Sequence, residues 1–304
     1  MYRQGGSINM TLRHLKIFIT VSDLGSMTAA AKALFIAQPT VSQAISELES
    51  HYGVKLFDRL AKRLYITDSG RRLLNYARHI TALVNDMEHE MINPDKSGVL
   101  KVGASLTVGT YLLPKLVNQF AQKYPQWQVN AVTKNTQDIE RLILQNAVDF
   151  AIVEGAVHTP EIVTSAFMND QLVLVCGKTH PLYQAKAVAP DDLSKLRFIV
   201  REQGSGTREL FENMMAAHEI NWRLAWECNG SDVLKSAAMN GIGIAVISRR
   251  LVENELKTGD LHSIRINGIH LSRKFSLIYH KNKYLTDTMK AFMDLCRQGD
   301  VQTS

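Results

Sequence analysis

The 304-residue chain has little cysteine: Cys176, Cys228 and Cys296 are far apart and odd in number. That pattern excludes a disulfide framework and supplies no zinc spacing. The ten histidines form no HExxH or paired-ligand pattern, so they read as core or surface side chains. No apolar run reaches the roughly 18 residues of a membrane-spanning helix, and no membrane partner is expected. The opening MYRQGGSINM lacks an apolar core and a small-residue cleavage pattern, which excludes a secretory signal. Residues 1–9 read as a leader ahead of a native start at Met10. A GxSxG elbow, a Walker loop and a GxGxxG turn at a first strand are all missing, and Glu154 and His180 have no identifiable acid–base partner. The expectation is a reduced, cytoplasmic protein that is not an enzyme and holds no cofactor or metal.

What is present is an uneven charge. Residues 1–78 hold 11 Lys+Arg against 5 Asp+Glu, and the remaining 24 basic and 24 acidic residues cancel, so the whole net charge of +6 lies in the first quarter of the chain. Such asymmetry suggests a small module facing a polyanion, joined to a larger neutral part. The length allows two domains and one further subdivision.

Within the basic module, Leu12, Leu15, Phe18 and Ile19 recur at helical spacing. Ser26 then stands as an N-cap before the small residues Ala29, Ala30, Ala31 and Ala33, which let another helix approach closely. Pro39 suits the first turn of the next helix, where its missing N–H is not needed. Val41, Ile45 and Leu48 make a buried stripe, while Gln38, Ser42, Gln43 and Ser46 share the other face. Short, uncharged hydrogen-bonding side chains suit a helix in the major groove, where Gln can address adenine and Ser can donate or accept. An ordinary solvent-facing helix would also carry them. The local basic excess favours DNA, as does GVKLFDRLAKRLYITDSG, which reads as a helix end at Gly53 and a wing placing Arg59, Lys62 and Arg63 toward phosphates.

The run LRHLKIFITVSDLGSMTAAAKALFIAQPTVSQAISELESHYGVKLFDRLAKRLYITDSG resembles the DNA-binding domain of LysR-type transcriptional regulators, with SMTAAA, QPTVSQAISELE, LFDR and ITDSG as its motifs. The resemblance implies that Gln38, Pro39, Ser42 and Gln43 approach bases, and that Ser26, Thr28, Thr40, Arg59 and Arg63 hold the DNA backbone. ITDSG departs from the family at Asp68 and Ser69, where an apolar or small residue is commoner before the glycine.

Residues 10–67 are therefore read as a winged helix-turn-helix domain. Thr67 caps a helix over 68–93 that Pro94 ends, and Leu73, Ala77, Ile80, Val84, Met87 and Met91 alternate steps of four and three. That is the a/d seam of a coiled coil, which predicts a homodimer and a two-fold related site on double-stranded DNA. The stripe could also pack on its own domain. The resemblance further implies a homotetramer. PDKSG at 94–98 reads as a hinge.

From 99 onward strands and helices alternate as β-α-β units, VLKVGAS, YLLPKLVNQFAQKY, WQVNAVT, QDIERLILQNA and DFAIVEG, with a second set from QLVLVCG to NGIGIAVIS. The fold class expected is α/β behind an all-α N-terminal module, with two subdomains of periplasmic-binding-protein type. Subdomain I covers about 99–164 and 269–304, and subdomain II about 165–268. Ligands of open α/β sheets sit at the carboxyl ends of strands. Two loops there offer hydroxyls and free N–H groups: Ser105 with Thr107, and Gly204, Ser205, Gly206 and Thr207 flanked by Arg201 and Arg208. Plain helix capping would explain GSGT as well. Glu154, ending DFAIVEG, would repel an anion unless Arg201 or the ligand's own amine paired it.

YLLP, DFAIVEG, LVLVCGKTHPL and NGIGIAVIS resemble the effector-binding domain of the same family, from about Ser97 to Arg297. By that resemblance Ser105, Thr107, Glu154, Arg201, Ser205 and Thr207 line a small-molecule cleft, and REQGSGTR is most similar to members tied to sulfur or carbon-dioxide assimilation. The function expected is a DNA-binding regulator controlled by a small effector, such as a small anion. The alternative is a solute-binding, receptor-like protein without a transcriptional role.

Overall fold

The computed structural model describes the backbone of residues 10–60, 63–92 and 98–298. It divides into two compact units, Met1–Asp95 and Lys96–Ser304. The expected leader at 1–9 lies outside the described residues, as does the hinge at 94–98 apart from Gly98.

In the first unit, α1 (Leu12–Leu24), α2 (Met27–Ala33) and α3 (Gln38–Tyr52) are followed by a hairpin of β1 (Phe57–Leu60) and β2 (Arg63–Ile66), then by α4 (Asp68–Ile92). The caps are as the sequence implies. The Ala29 N–H donates to Ser26 Oγ, the Gly70 N–H donates to Thr67 Oγ1, and α3 ends at Gly53 in the left-handed region with φ 66°. Leu15, Phe18, Ala30, Ala31, Val41, Ala44, Ile45 and Leu48 interlock in one core. Each large apolar side chain buried there contributes roughly 1.5–3 kcal/mol. Leu12 is exposed instead, and Ile17 and Val21 complete the buried face of α1. Glu49 fixes the wing. Its carboxylate accepts from the N–H groups of Leu56 and Phe57 and from Lys55 Nζ at 2.6 Å, tying the end of α3 to β1.

The second unit begins with β3 (Gly98–Ser105), α5 (Leu106–Tyr111), α6 (Leu113–Lys123), β4 (Trp127–Lys134), α7 (Thr136–Leu144) and β5 (Phe150–Glu154). It continues through β6 (Ile162–Gly177), β7 (Ala187–Val188), β8 (Arg197–Arg201), α8 (Gly206–Ala217), β9 (Arg223–Cys228), α9 (Ser231–Met239) and β10 (Ile244–Ser248). It closes with α10 (Glu253–Thr258), β11 (Leu261–Ile266), β12 (Ser272–His280) and α11 (Asp287–Gln298). Strands run in the order β4-β3-β5-β12-β6-β10-β8-β9. Parallel β4, β3 and β5 build lobe I, and parallel β10, β8 and β9 build lobe II.

Both sheets are covered on both faces, which is why their central strands are continuous apolar runs. In β5, Phe150 and Ile152 enter one core while Ala151 and Val153 enter the other. In β10, Ile244 and Val246 oppose Ala245 and Ile247 in the same way. The last helix returns to lobe I, where Phe292 stacks on Phe120 and Phe150.

The helix expected over YLLPKLVNQFAQKY is α6, with Pro114 in its first turn, and the short α5 ahead of it follows Ser105 directly. Two sequence expectations need correction. The segment 162–170 is strand, hidden in the sequence by polar residues such as Thr164, Ser165 and Asn169. The subdomain boundary at 164/165 therefore falls inside β6, whose Met168 packs in lobe I and whose Leu172 packs in lobe II. Strands β6 and β12, paired antiparallel from Ser272↔Gln171 to His280↔Ile162, are the crossing between lobes.

Candidate DNA-reading helix and ligand cleft

Gln38, Pro39, Ser42, Gln43, Ser46, Glu47 and Ser50 line one open concavity along α3. The structure brings the four residues expected to approach bases onto that face, and adds Glu47, which the sequence reading left out. Glu47 is held in place: Gln43 Nε2 donates to Oε1 at 2.9 Å, and His14 Nε2 lies 2.9 Å from Oε2. The Gln43 hydrogen bond and then His14 hold its carboxyl below the usual range. Ser26 caps α2, Thr28 is exposed beside it, and Thr40 is half-buried in the first turn of α3. The side chains of Arg59 and Arg63 lie outside the described residues.

On α4, Ala77 is fully buried in the core of its own unit and Leu73 packs against it. For these two members of the expected seam, packing on the same domain is what the structure shows. Ile80, Met87 and Met91 are exposed, Val84 is half-buried, and the open row is completed by Tyr76 and Leu83.

In the second unit the strand ends converge. Ser105 Oγ, at the end of β3, accepts from the Glu154 N–H at 3.1 Å. Thr107 belongs to lobe I and Thr207 to lobe II, and one guanidinium joins them. Arg273, on β12, donates to Thr207 Oγ1 at 2.8 Å and to Thr107 Oγ1 at 3.2 Å. Its Nε donates to Asp170 Oδ2 at 2.7 Å, and Ser248 Oγ donates to the other Asp170 oxygen at 2.7 Å. Arg250 lies across the same junction, donating to Tyr111 Oη and to the Asn169 carbonyl, each at 2.9 Å. The lobes also meet where the Gln137 N–H donates to the Gly204 carbonyl at 3.1 Å and His158 Nε2 lies 2.6 Å from Glu209 Oε1.

Arg201 does not reach Glu154. Its guanidinium donates to both oxygens of Glu202, each at 2.7 Å, so the pairing left open by the sequence goes to a chain neighbour. Arg208 is likewise structural, donating to the Arg201 carbonyl and to Glu212 and Glu227. The three cysteines are free and buried; burial pushes the Cys176 thiol up to about 11 and raises those of Cys228 and Cys296, so none is a ready nucleophile. Among the described residues no His/Cys/Asp/Glu group could hold a metal ion, and no helix is long and apolar enough to cross a membrane.

Two glycines set the spacing of the lobes. Gly155 has φ 90°, and a Cβ on it would lie 2.9 Å from Gly206 Cα; a Cβ on Gly206 would lie 2.3 Å from the Glu154 carbonyl oxygen. Gly206→Ala is expected to push the lobes apart and cost about 1–3 kcal/mol as overpacking does, read as a lower denaturant midpoint. An unchanged midpoint would show that the lobes do not rest on this contact.

A winged helix-turn-helix suits DNA binding, and a two-lobed α/β unit with polar groups converging at its strand ends suits ligand binding, which together define the class of ligand-responsive DNA-binding regulators. Residues 12–71 match the family described as "Bacterial regulatory helix-turn-helix protein, lysR family", and residues 94–300 match "LysR substrate binding domain". The chain belongs to the LysR family of transcriptional regulators, with a DNA-binding domain and an effector-binding domain. It is 34% identical over 294 residues to the uncharacterized HTH-type transcriptional regulator YeiE of Escherichia coli K12, covering 97% of this chain and 99% of YeiE. It is 32% identical to a probable RuBisCO transcriptional regulator of Cyanophora paradoxa, covering 93% and 90% of the two chains. Among solved structures, a full-length OxyR variant from Pseudomonas aeruginosa aligns at TM-score 0.71 and 18% identity, covering 98% of this chain and 97% of that one. The Synechocystis CcmR regulatory domain in complex with 2-PG aligns at 0.63 and 26%, covering 68% of this chain and 99% of that one.

Proposed function

We propose that the chain is a cytoplasmic, sequence-specific regulator whose α3 reads a two-fold related DNA site and whose interlobe cleft takes a small anionic effector. Gln38, Pro39, Ser42 and Gln43 reach bases, while Ser26, Thr28, Thr40, Arg59 and Arg63 hold phosphates. Ser105, Thr107, Glu154, Ser205 and Thr207 face the effector. Arg201 and Gly204 shape the loop that carries Ser205. Two chains pair through the open row of α4, and pairs of dimers form the tetramer. Effector binding favours one of two assemblies by differential affinity and so changes the spacing of the paired readers. An anion of carbon assimilation is supported by the relatives described as RuBisCO regulators and by the 2-PG complex of CcmR.

The observation that carries the reading is the open face of α3, where short hydrogen-bonding side chains surround a proline-started helix end. Affinity for a selected duplex should fall steeply with salt, by roughly 10³–10⁵ between about 50 and 200 mM if six to ten phosphates are contacted. Gln43→Ala should cost about 1–3 kcal/mol on the selected duplex and much less on random DNA. Fluorescence anisotropy that finds no DNA binding, or binding indifferent to salt, would return the chain to the solute-binding alternative.

A further inference from the structure

We infer that the cleft selects an oxyanion that carries its own hydrogen-bond donor on the same or the neighbouring atom. The class comprises small 2-hydroxy and 2-amino carboxylates and singly protonated inorganic oxyanions. This rests on the effector-cleft reading above and narrows it. The inference comes from the direction of each hydrogen bond rather than from the kind of residue.

A hydroxyl has one proton to donate and two lone pairs to accept with. Ser105, Thr107 and Thr207 each use a lone pair, accepting from the Glu154 N–H, from Arg273 Nη2 and from Arg273 Nη1. None of the hydrogen bonds of the described residues uses the three hydroxyl protons. All three side chains are buried. Beside them Ser205, 2% exposed, has a hydroxyl with no partner at all. Buried hydroxyl protons without acceptors are costly, and four of them around one junction call for a ligand with several acceptor oxygens. Arg273 is thereby a positioning residue. It fixes Thr107 and Thr207 as acceptors toward itself, which leaves their protons for an acceptor other than Arg273.

Glu154 supplies the other half. It is 1% exposed, and its Oε2 atom has no partner. This oxygen receives no donor from the described residues, so an anion made only of acceptors would leave it unsatisfied and repelled. A ligand hydroxyl, ammonium or acid proton satisfies it. Gly206 approaches the Glu154 carbonyl so closely that a Cβ on it would lie 2.3 Å from that oxygen, and such close packing of the two loops suits a ligand of few heavy atoms.

The test uses the full chain and matched probes at constant ionic strength: glycolate and glycine against acetate, and bicarbonate against nitrate. Calorimetry should show at least one donor-bearing probe binding roughly tenfold or more tightly than its donorless twin, the ratio expected when a buried acceptor is left unpaired. Thr207→Val should weaken both twins, and Glu154→Gln should collapse the preference between them. Which twin pair responds separates hydroxy acids, amino acids and inorganic oxyanions. Equal affinity of the twins in the unsubstituted chain overturns the inference, and so does the absence of any bound probe at about 10 mM. DNA binding by the same preparation is read separately. If it persists with its salt dependence, only the ligand class has failed; if it is absent, the regulator reading has failed.

Discussion

Arg273→Met is expected to destabilise the C-terminal unit by about 3–5 kcal/mol, the cost of removing one partner from a buried ion pair. The Asp170 side chain is fully buried and loses its 2.7 Å contact with the guanidinium. What remains to it is the Ser248 hydroxyl and Arg250 Nε at 3.7 Å, which is beyond a hydrogen bond. The same substitution leaves Thr107 and Thr207 without their donors, so the two lobes lose a shared anchor. Denaturant unfolding should show a lower midpoint with the slope unchanged. Arg273→Lys should recover only part of the loss, since a compact ammonium lacks the planar fork whose separate nitrogens reach the carboxylate and the two hydroxyls. Combining Arg273→Met with Asp170→Leu should recover more than Lys does, because no buried charge is then left unpaired. A single Met variant as stable as the parent would mean that water replaces the guanidinium and that the junction is wet.

Nothing near Arg273 in LSRKFSLIYH marks it out. Its partners Thr107, Asp170 and Thr207 stand 166, 103 and 66 residues away, brought together only because β6 and β12 cross side by side. Local rules read the chain well where the physics is local. Ser26 and Thr67 cap their helices, Gly53 ends α3, and the Val41–Ile45–Leu48 stripe is buried, since each depends on neighbours within about one helical turn. The hydroxyls of Ser105, Thr107, Ser205 and Thr207 stand out as candidates in the sequence, because a polar residue at the end of a buried strand or the start of a helix is visible by position. Arg201 misled for the same reason. It sits at a strand end beside the loop, yet the adjacent Glu202 captures it. Spacing alone also fails on α4, where residues three or four apart describe more than one row of the same helix.

That choice of row yields the other large effect. Leu73, Leu74 and Ala77 lie against the core of the N-terminal unit, whereas Tyr76, Ile80, Leu83, Met87 and Met91 are 40–75% exposed. The open residues follow steps of four, three, four and four, which is a seam for a second helix and a poor face to leave in water. Leu83→Asp is therefore expected to leave the unfolding midpoint of the N-terminal unit nearly unchanged, within about 0.5 kcal/mol as for surface substitutions. Sedimentation should nevertheless show dissociation, and affinity for a two-fold related duplex should fall by about 10²–10⁴, because the second half-site is then bound by a separate chain. Ala77→Asp should do the reverse of this pattern, placing an unpaired carboxylate in a packed core and unfolding the unit before any question of pairing arises. If Leu83→Asp stays associated and binds the duplex as the parent does, pairing lies elsewhere in the chain. If Ala77→Asp folds normally yet dissociates, the core-facing and open rows have been exchanged, and the helix pairs along the seam that simple spacing suggested.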